Sequence, residues 1–189
     1  MAKRGWLAKA GMGLLLAASG AAQQVPRKAP EFTIDMVKAQ PLKLSQYKGK
    51  PLLVAFILTT CSHCQHTVEI LNKLLPDYAP RGLQIVGSAI DDGAQNAVAV
   101  FVKFYRPAFP VGFSPALPGG GGMSALEFCN YSLDRAPHMP ILLFIDRQGT
   151  IREQHEGAEA DFFGDQQEAK LRVAIESLLR PAAKPGKRK

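Results

Sequence analysis

Pro51-Leu52-Leu53-Val54-Ala55-Phe56-Ile57-Leu58 leads within three residues to Cys61-Ser62-His63-Cys64, and Val68, Leu71 and Leu75 follow at helical spacing. The apolar run has the length and continuity of a strand buried on both faces. The residues after it repeat as one face of a helix does. A strand therefore hands over to a helix whose N-terminus carries the first cysteine. Unpaired backbone N–H groups and the helix dipole favour a thiolate at such a place. The second cysteine falls one turn later, where it can close a small disulfide ring with the first. This pattern suits reversible thiol–disulfide chemistry.

A chain of 189 residues that is 47% apolar is enough for one domain with a real core. No apolar run reaches the roughly eighteen residues that a membrane-crossing helix needs. Residues 1–22 read instead as a secretory signal. Lys3, Arg4 and Lys9 form a basic start, Gly11 to Ala18 is a short apolar stretch, and Ser19-Gly20-Ala21-Ala22 offers small residues for cleavage. An exported protein of the bacterial periplasm is expected, the alternative being that this segment is kept as an anchor. Of the net charge of +7, Lys3, Arg4 and Lys9 supply +3 and Lys184, Lys187, Arg188 and Lys189 supply +4. Residues 23–180 are thus neutral, which argues against a nucleic-acid-binding domain. Residues 181–189, with Pro181 and Pro185, read as a basic solvated tail. Three cysteines make one close pair and leave Cys129 over, which is expected to be a buried free thiol. A domain of this length does not need a staple, so the pair is more plausibly functional than structural.

Along residues 23–180, a polar lead-in precedes two short strands, Phe32 to Ile34 and Leu42 to Leu44, and a turn of helix closed by Gly49. Buried strands are expected at Leu52 to Leu58, Leu83 to Ile90 and Ile141 to Ile145. The helix from Cys61 should run to about Pro76. Asp91 or Asp92 is expected to cap the next helix, whose apolar side is Val98, Phe101, Val102 and Tyr105. Phe109 to Val111 reads as a short extended piece, Pro115 to Gly122 as a loop and Ala125 to Tyr131 as a brief helix. The turn Asp146 to Gly149 should return Thr150 to Gln154 as an antiparallel partner, and a last helix spans about Gln166 to Arg180 on Leu171, Ile175 and Leu178. Helices interleaved with buried strands and a late hairpin predict an α/β sandwich.

These residues resemble the extracytoplasmic thioredoxin-like proteins of the TlpA/ResA type, within the redoxin class. Four pieces carry the resemblance in order: Ala29-Pro30-Glu31-Phe32 with Leu44-Ser45 and Lys48-Gly49-Lys50; Cys61 to Cys64; Phe109-Pro110-Val111; and Met139-Pro140-Ile141-Leu142-Leu143-Phe144-Ile145-Asp146 with Gly149. It covers residues 29–180 and implies a thioredoxin-like fold, a mixed central sheet with helices on both faces. It also implies a thiol–disulfide oxidoreductase with Cys61 and Cys64 as the redox pair. The proline matching Pro140 is cis in that family, so Met139 and Pro140 would form the floor of a groove that docks protein thiol or disulfide substrates. No nucleotide, flavin or metal cofactor is implied; Gly119 to Gly122 lacks the Lys-Ser/Thr ending of a phosphate loop. The expected partners are protein substrates, with a membrane redox partner left open, and the chain is expected to be a monomer that binds no nucleic acid.

Departures from the family bear on mechanism. Thr60 stands where a tryptophan usually precedes the first cysteine. Ala55 holds the position of the buried aspartate of cytoplasmic thioredoxins, and Thr67 that of the buried glutamate of ResA-type proteins. Both acids help to deprotonate the second thiol, so their replacement argues against a plain reductase. Glu69 lies two positions off and reads as a solvated acid. His63, between the cysteines, can stabilise the Cys61 thiolate and thereby make the disulfide more oxidising, as in DsbA. His66 reads as a surface residue, His138 as a loop residue near the groove, and His155 shows no partner in sequence. Two rivals share the fold. A copper-handling protein would use Cys61, Cys64, His66 and His138, but Sco-type proteins place three residues between their cysteines. A thiol peroxidase would need a threonine three residues before its cysteine, where Leu58 stands.

Overall fold

The computed structural model describes residues 25–119, 122–131 and 135–180. The expected signal segment, the basic tail, and Gly120 and Gly121 of the glycine run lie outside the described residues. The elements are β1 (Arg27–Lys28), β2 (Thr33–Ile34), β3 (Leu42–Lys43), β4 (Leu52–Ile57), α1 (Ser62–Tyr78), β5 (Gln84–Ala89), α2 (Ala94–Tyr105), β6 (Val111–Phe113), α3 (Ala125–Phe128), β7 (Ile141–Ile145), β8 (Thr150–Glu156), α4 (Ala160–Phe163) and α5 (Gln167–Leu179). One sheet of six strands runs β1-β8-β7-β4-β5-β6, and β2 pairs with β3 as a separate hairpin. β4, β5 and β6 are parallel, whereas β7, β8 and β1 alternate in direction beside them. This mixed sheet is the thioredoxin-like architecture.

Strand alternation divides the core into two layers. Leu53, Ala55 and Ile57 face a layer built from α1, α2 and α5, in which Leu71, Val98, Phe101, Leu171 and Ile175 are buried. Leu52, Val54 and Phe56 face a layer built from the β2–β3 hairpin, the 3-10 turn Leu44–Tyr47 and α3. Three phenylalanines bind this second layer to the sheet: Phe32 meets Phe56 edge-on at 5.4 Å and tilts against Phe128 at 4.9 Å. Helices thus cover both faces, with the long ones on one side.

Several boundaries depart from the sequence reading for identifiable reasons. α1 runs past Pro76 to Tyr78, because Leu74 and Tyr78 are buried and hold the last turn to the core. A proline in the last turn removes one N–H and is offset by that packing. Neither Asp91 nor Asp92 caps α2; Gly93 is the N-cap, and the Asp91 carboxylate is taken by Thr59. Val98 and Phe101 of α2 are buried, while Val102 is exposed. β6 lies two residues later than expected, set by the pairing of Val111 with Gly87. The polar lead-in contains β1, which adds to the sheet edge beside β8, and α4 is an element without a counterpart in the sequence reading.

Candidate active site

The pairing of β4 between β5 and β7 fixes where the CxxC segment starts. After Ile57 the chain turns: the Cys61 amide donates to the Leu58 carbonyl at 3.2 Å, and the Gln65 amide donates to the Cys61 carbonyl at 3.0 Å. Cys61 is therefore the N-cap of α1, with extended backbone and a half-exposed side chain. Cys64, one turn on, is fully buried in the helix layer. All three cysteines carry free thiols.

The two sulfurs of the pair sit in unlike surroundings. Cys61 Sγ faces the Met139 carbonyl at 3.9 Å, and the Met139–Pro140 peptide is cis. Cys64 Sγ accepts the Leu58 amide at 3.4 Å. Burial pushes the Cys64 thiol well above the ordinary range; the Leu58 amide opposes this, while Cys61 and the Asp91 carboxylate add to it. Charge on Cys64 is thus disfavoured by its site. Pro140 is buried and Met139 half-buried beside the pair. His63 is exposed on the first turn of α1, and its carbonyl accepts the Thr67 hydroxyl at 2.7 Å.

The Thr67 position shows what replaces the family's acid. Its hydroxyl oxygen accepts the Gln167 amide at 2.8 Å, and both residues are buried. A neutral, internally satisfied pair fills that place, bridging α1 and α5. Ala55 is buried on β4. Glu69 is exposed, 3.8 Å from His66, as a solvated helix pair. His138 is exposed and its carbonyl accepts the Gly157 amide at 2.8 Å. Among the described residues no group of three or more His, Cys, Asp or Glu converges to hold a metal, so Cys61, Cys64, His66 and His138 are not brought together.

Two features escaped the sequence reading. Asp91, at the end of β5, accepts the Thr59 amide at 2.9 Å and the Thr59 hydroxyl at 3.0 Å, beside the CxxC turn. His155 does have partners: Glu159 at 2.7 Å, Glu153 at 3.5 Å and the stacked ring of Phe162 at 3.8 Å. No local pattern signals the first, since Thr59 and Asp91 are 32 residues apart. The second had a local trace, the spacing of His155 and Glu159.

Residues 25–154 match the AhpC/TSA family. The chain belongs to that family. Among relatives of this AhpC/TSA chain, the thiol-disulfide oxidoreductase ResA of Bacillus thuringiensis subsp. konkukian is 27% identical over 136 residues, 72% of each protein. The thioredoxin-like protein YneN of Bacillus subtilis is 26% identical over 135 residues, 71% of this chain and 72% of YneN. A thiol:disulfide interchange protein of the thioredoxin family from Chlorobium tepidum shares the fold, with a TM-score of 0.61 at 21% identity over 84% of this chain and all of the other. The AhpC/TSA member described here is an oxidoreductase of the thiol–disulfide class with a ResA-like, thioredoxin-like fold.

Proposed function

We propose that this protein is an exported thiol–disulfide oxidoreductase that exchanges disulfides with protein substrates through Cys61 and Cys64. The observation that carries the reading is the asymmetry of the pair. Cys61 is half-exposed at the N-cap of α1 opposite the Met139 carbonyl, and Cys64 is buried one turn below it. Only the first sulfur is open to a substrate.

With the pair oxidised, a substrate thiolate attacks Cys61 Sγ. The Cys61–Cys64 bond breaks, and Cys64 leaves as a thiolate that takes up a proton. A second substrate thiolate then attacks the substrate sulfur of the mixed disulfide, leaving two electrons on the Cys61–Cys64 dithiol. In reverse, the Cys61 thiolate attacks a substrate disulfide, and Cys64 loses its proton and attacks Cys61 Sγ to free the reduced product. The Leu58 amide is the donor that meets Cys64 in either direction. His63 is placed on the exposed side of the first turn, where an imidazolium would stabilise the Cys61 thiolate. Met139 and Pro140 would supply the backbone against which an extended substrate lies. Export rests on the basic, apolar and small-residue segments of residues 1–22.

Trapping tests this directly. Incubated with a disulfide-bonded polypeptide, Cys64→Ser accumulates a mixed disulfide through Cys61, and Cys61→Ser forms none. In a Cys129→Ser background, equilibration with glutathione gives the potential of the pair, and His63→Ala shifts it to a more negative value by about 30 mV or more. A pair that neither traps substrate nor equilibrates with glutathione would sink the reading.

A further inference from the structure

Beside the redox pair, the end of β8 and the loop into α4 carry a cluster of titratable side chains that the exchange steps do not use. His155 is held on three sides. Its Nδ1 lies 2.7 Å from Glu159 Oε2 and its Nε2 3.5 Å from Glu153 Oε2, while its ring stacks on Phe162 and meets the edge of Phe144 at 6.0 Å. The other oxygen of Glu159 accepts the Glu156 amide at 2.8 Å. Glu159 thus ties His155 to the backbone of the next residue and folds 155–159 into a tight loop.

That loop leans on the docking floor. Gly157 donates its amide to the His138 carbonyl at 2.8 Å, and a methyl group at Gly157 would overlap the Met139 carbonyl. The Met139 carbonyl is the atom that Cys61 Sγ faces. On the opposite side of β8, the Glu156 carboxylate accepts the Tyr131 hydroxyl and the Arg135 guanidinium, each at 2.7 Å. One short segment, 155–157, thus holds the chain ahead of Pro140 at Tyr131, Arg135 and His138. The charged groups facing His155 are Glu153 on β8 and Glu159 ahead of α4; β7 presents Phe144 and the paired Leu142, and α4 presents Phe162.

We infer that Glu159 and His155 are positioning residues for substrate docking: through Gly157 they hold the Met139 carbonyl in place opposite Cys61, and the clasp is tightest when His155 is protonated. This rests on the exchange reading of Cys61 given above. Burial disfavours the imidazolium, but the hydrogen bonds of Glu153 and Glu159 outweigh it and raise the His155 pKa. The clasp is complete below the ordinary histidine range and loosens as pH rises through the raised value. Docking of a polypeptide should follow it; exchange with a small thiol, which needs no groove, should not.

The test uses the full chain, oxidised, in single turnovers against excess reduced unfolded ribonuclease A, whose half-saturating concentration is read as KM, and, separately, against glutathione. Glu159→Gln weakens the clasp at an exposed side chain, and His155→Phe keeps the ring stack while removing the charge. Both variants should raise KM for the polypeptide about three- to fivefold near pH 6, the scale of a partly exposed ion pair. Their glutathione rates and pair potentials should match the wild type. The ratio of the His155→Phe KM to the wild-type KM should fall toward one as pH rises. Unchanged KM in both variants, an unchanging ratio, or an equal loss in the glutathione rate would overturn the inference while leaving exchange at Cys61 intact. Wild-type protein that exchanges with neither thiol brings down the exchange reading and this inference with it.

Discussion

Asp91 and Cys64 are held by neighbouring amides of one turn. The Leu58 amide donates to Cys64 Sγ, and the next amide, that of Thr59, donates to the Asp91 carboxylate. The Thr59 carbonyl in turn accepts the Gln65 side chain at 2.9 Å, which links the turn back to α1. Asp91→Ala leaves the Thr59 amide, on a residue only 8% exposed, without its partner. A loss of about 1–3 kcal/mol in unfolding free energy is expected. Asp91→Asn keeps an acceptor for Thr59 and removes the charge, so it should lose less stability. It should also let Cys64 ionise at lower pH, read as thiolate absorbance in a Cys61→Ser, Cys129→Ser background. A titration unchanged in Asp91→Asn would mean that the carboxylate does not act on Cys64. Residue chemistry was unevenly legible in the sequence. Cys61 and Cys64 stand out by their spacing, whereas Pro140 draws notice only through the family resemblance. Asp91 reads locally as a helix cap, and only the sheet, by laying β5 beside β4, shows that its carboxylate serves the turn before Cys61.

Elements whose sequence is largely apolar were the readable ones. β4, β5 and β7 lie within a residue or two of the expected bounds, because strands covered on both faces admit almost no polar side chain. β1 was not readable: Arg27 and Lys28 owe their strand conformation to the free edge of β8, which no local propensity encodes. β6 is a similar case, positioned by what it touches. Asp35 and Phe113 exchange amide-to-carbonyl bonds at 2.8 Å in both directions, and Gly112 sits between with no room for a side chain. A methyl group there would overlap the Asp35 carbonyl and press on Ile34 and Met36. Gly112→Ala should therefore force the β2–β3 hairpin away from the sheet edge at a cost of about 1–3 kcal/mol. Urea denaturation measures this as a lowered midpoint. A midpoint that stays where it was would show that the hairpin shifts freely.

On the scale of the whole molecule, the sheet separates two buried thiols: Cys64 lies in the layer of long helices and Cys129 in the hairpin layer, both at 0% exposure. Burial raises the pKa of each; Cys61, Asp91 and Arg27 modify the shift without reversing it. An unfolded chain exposes both thiols, and there they ionise near the ordinary value of about 8.5. At higher pH the unfolded state has released two protons that the native state still holds. Each such proton lowers stability by about 1.4 kcal/mol per pH unit, so the reduced protein should lose about 2.7 kcal/mol per unit from these two groups above roughly pH 9. Below the unfolded thiol pKa the two groups leave stability independent of pH. Denaturation of the reduced protein at about pH 8, 9 and 10 gives the slope, and variants divide it. Cys64→Ala and Cys129→Ala should each flatten the alkaline fall by about 1.4 kcal/mol per unit, whatever constant packing loss each brings. Tyrosines and lysines titrate alike in all three proteins and drop out of the comparison. An alkaline slope that ignores Cys129→Ala would mean that water reaches this thiol in the native state, and that the hairpin layer opens more readily than its phenylalanine packing implies.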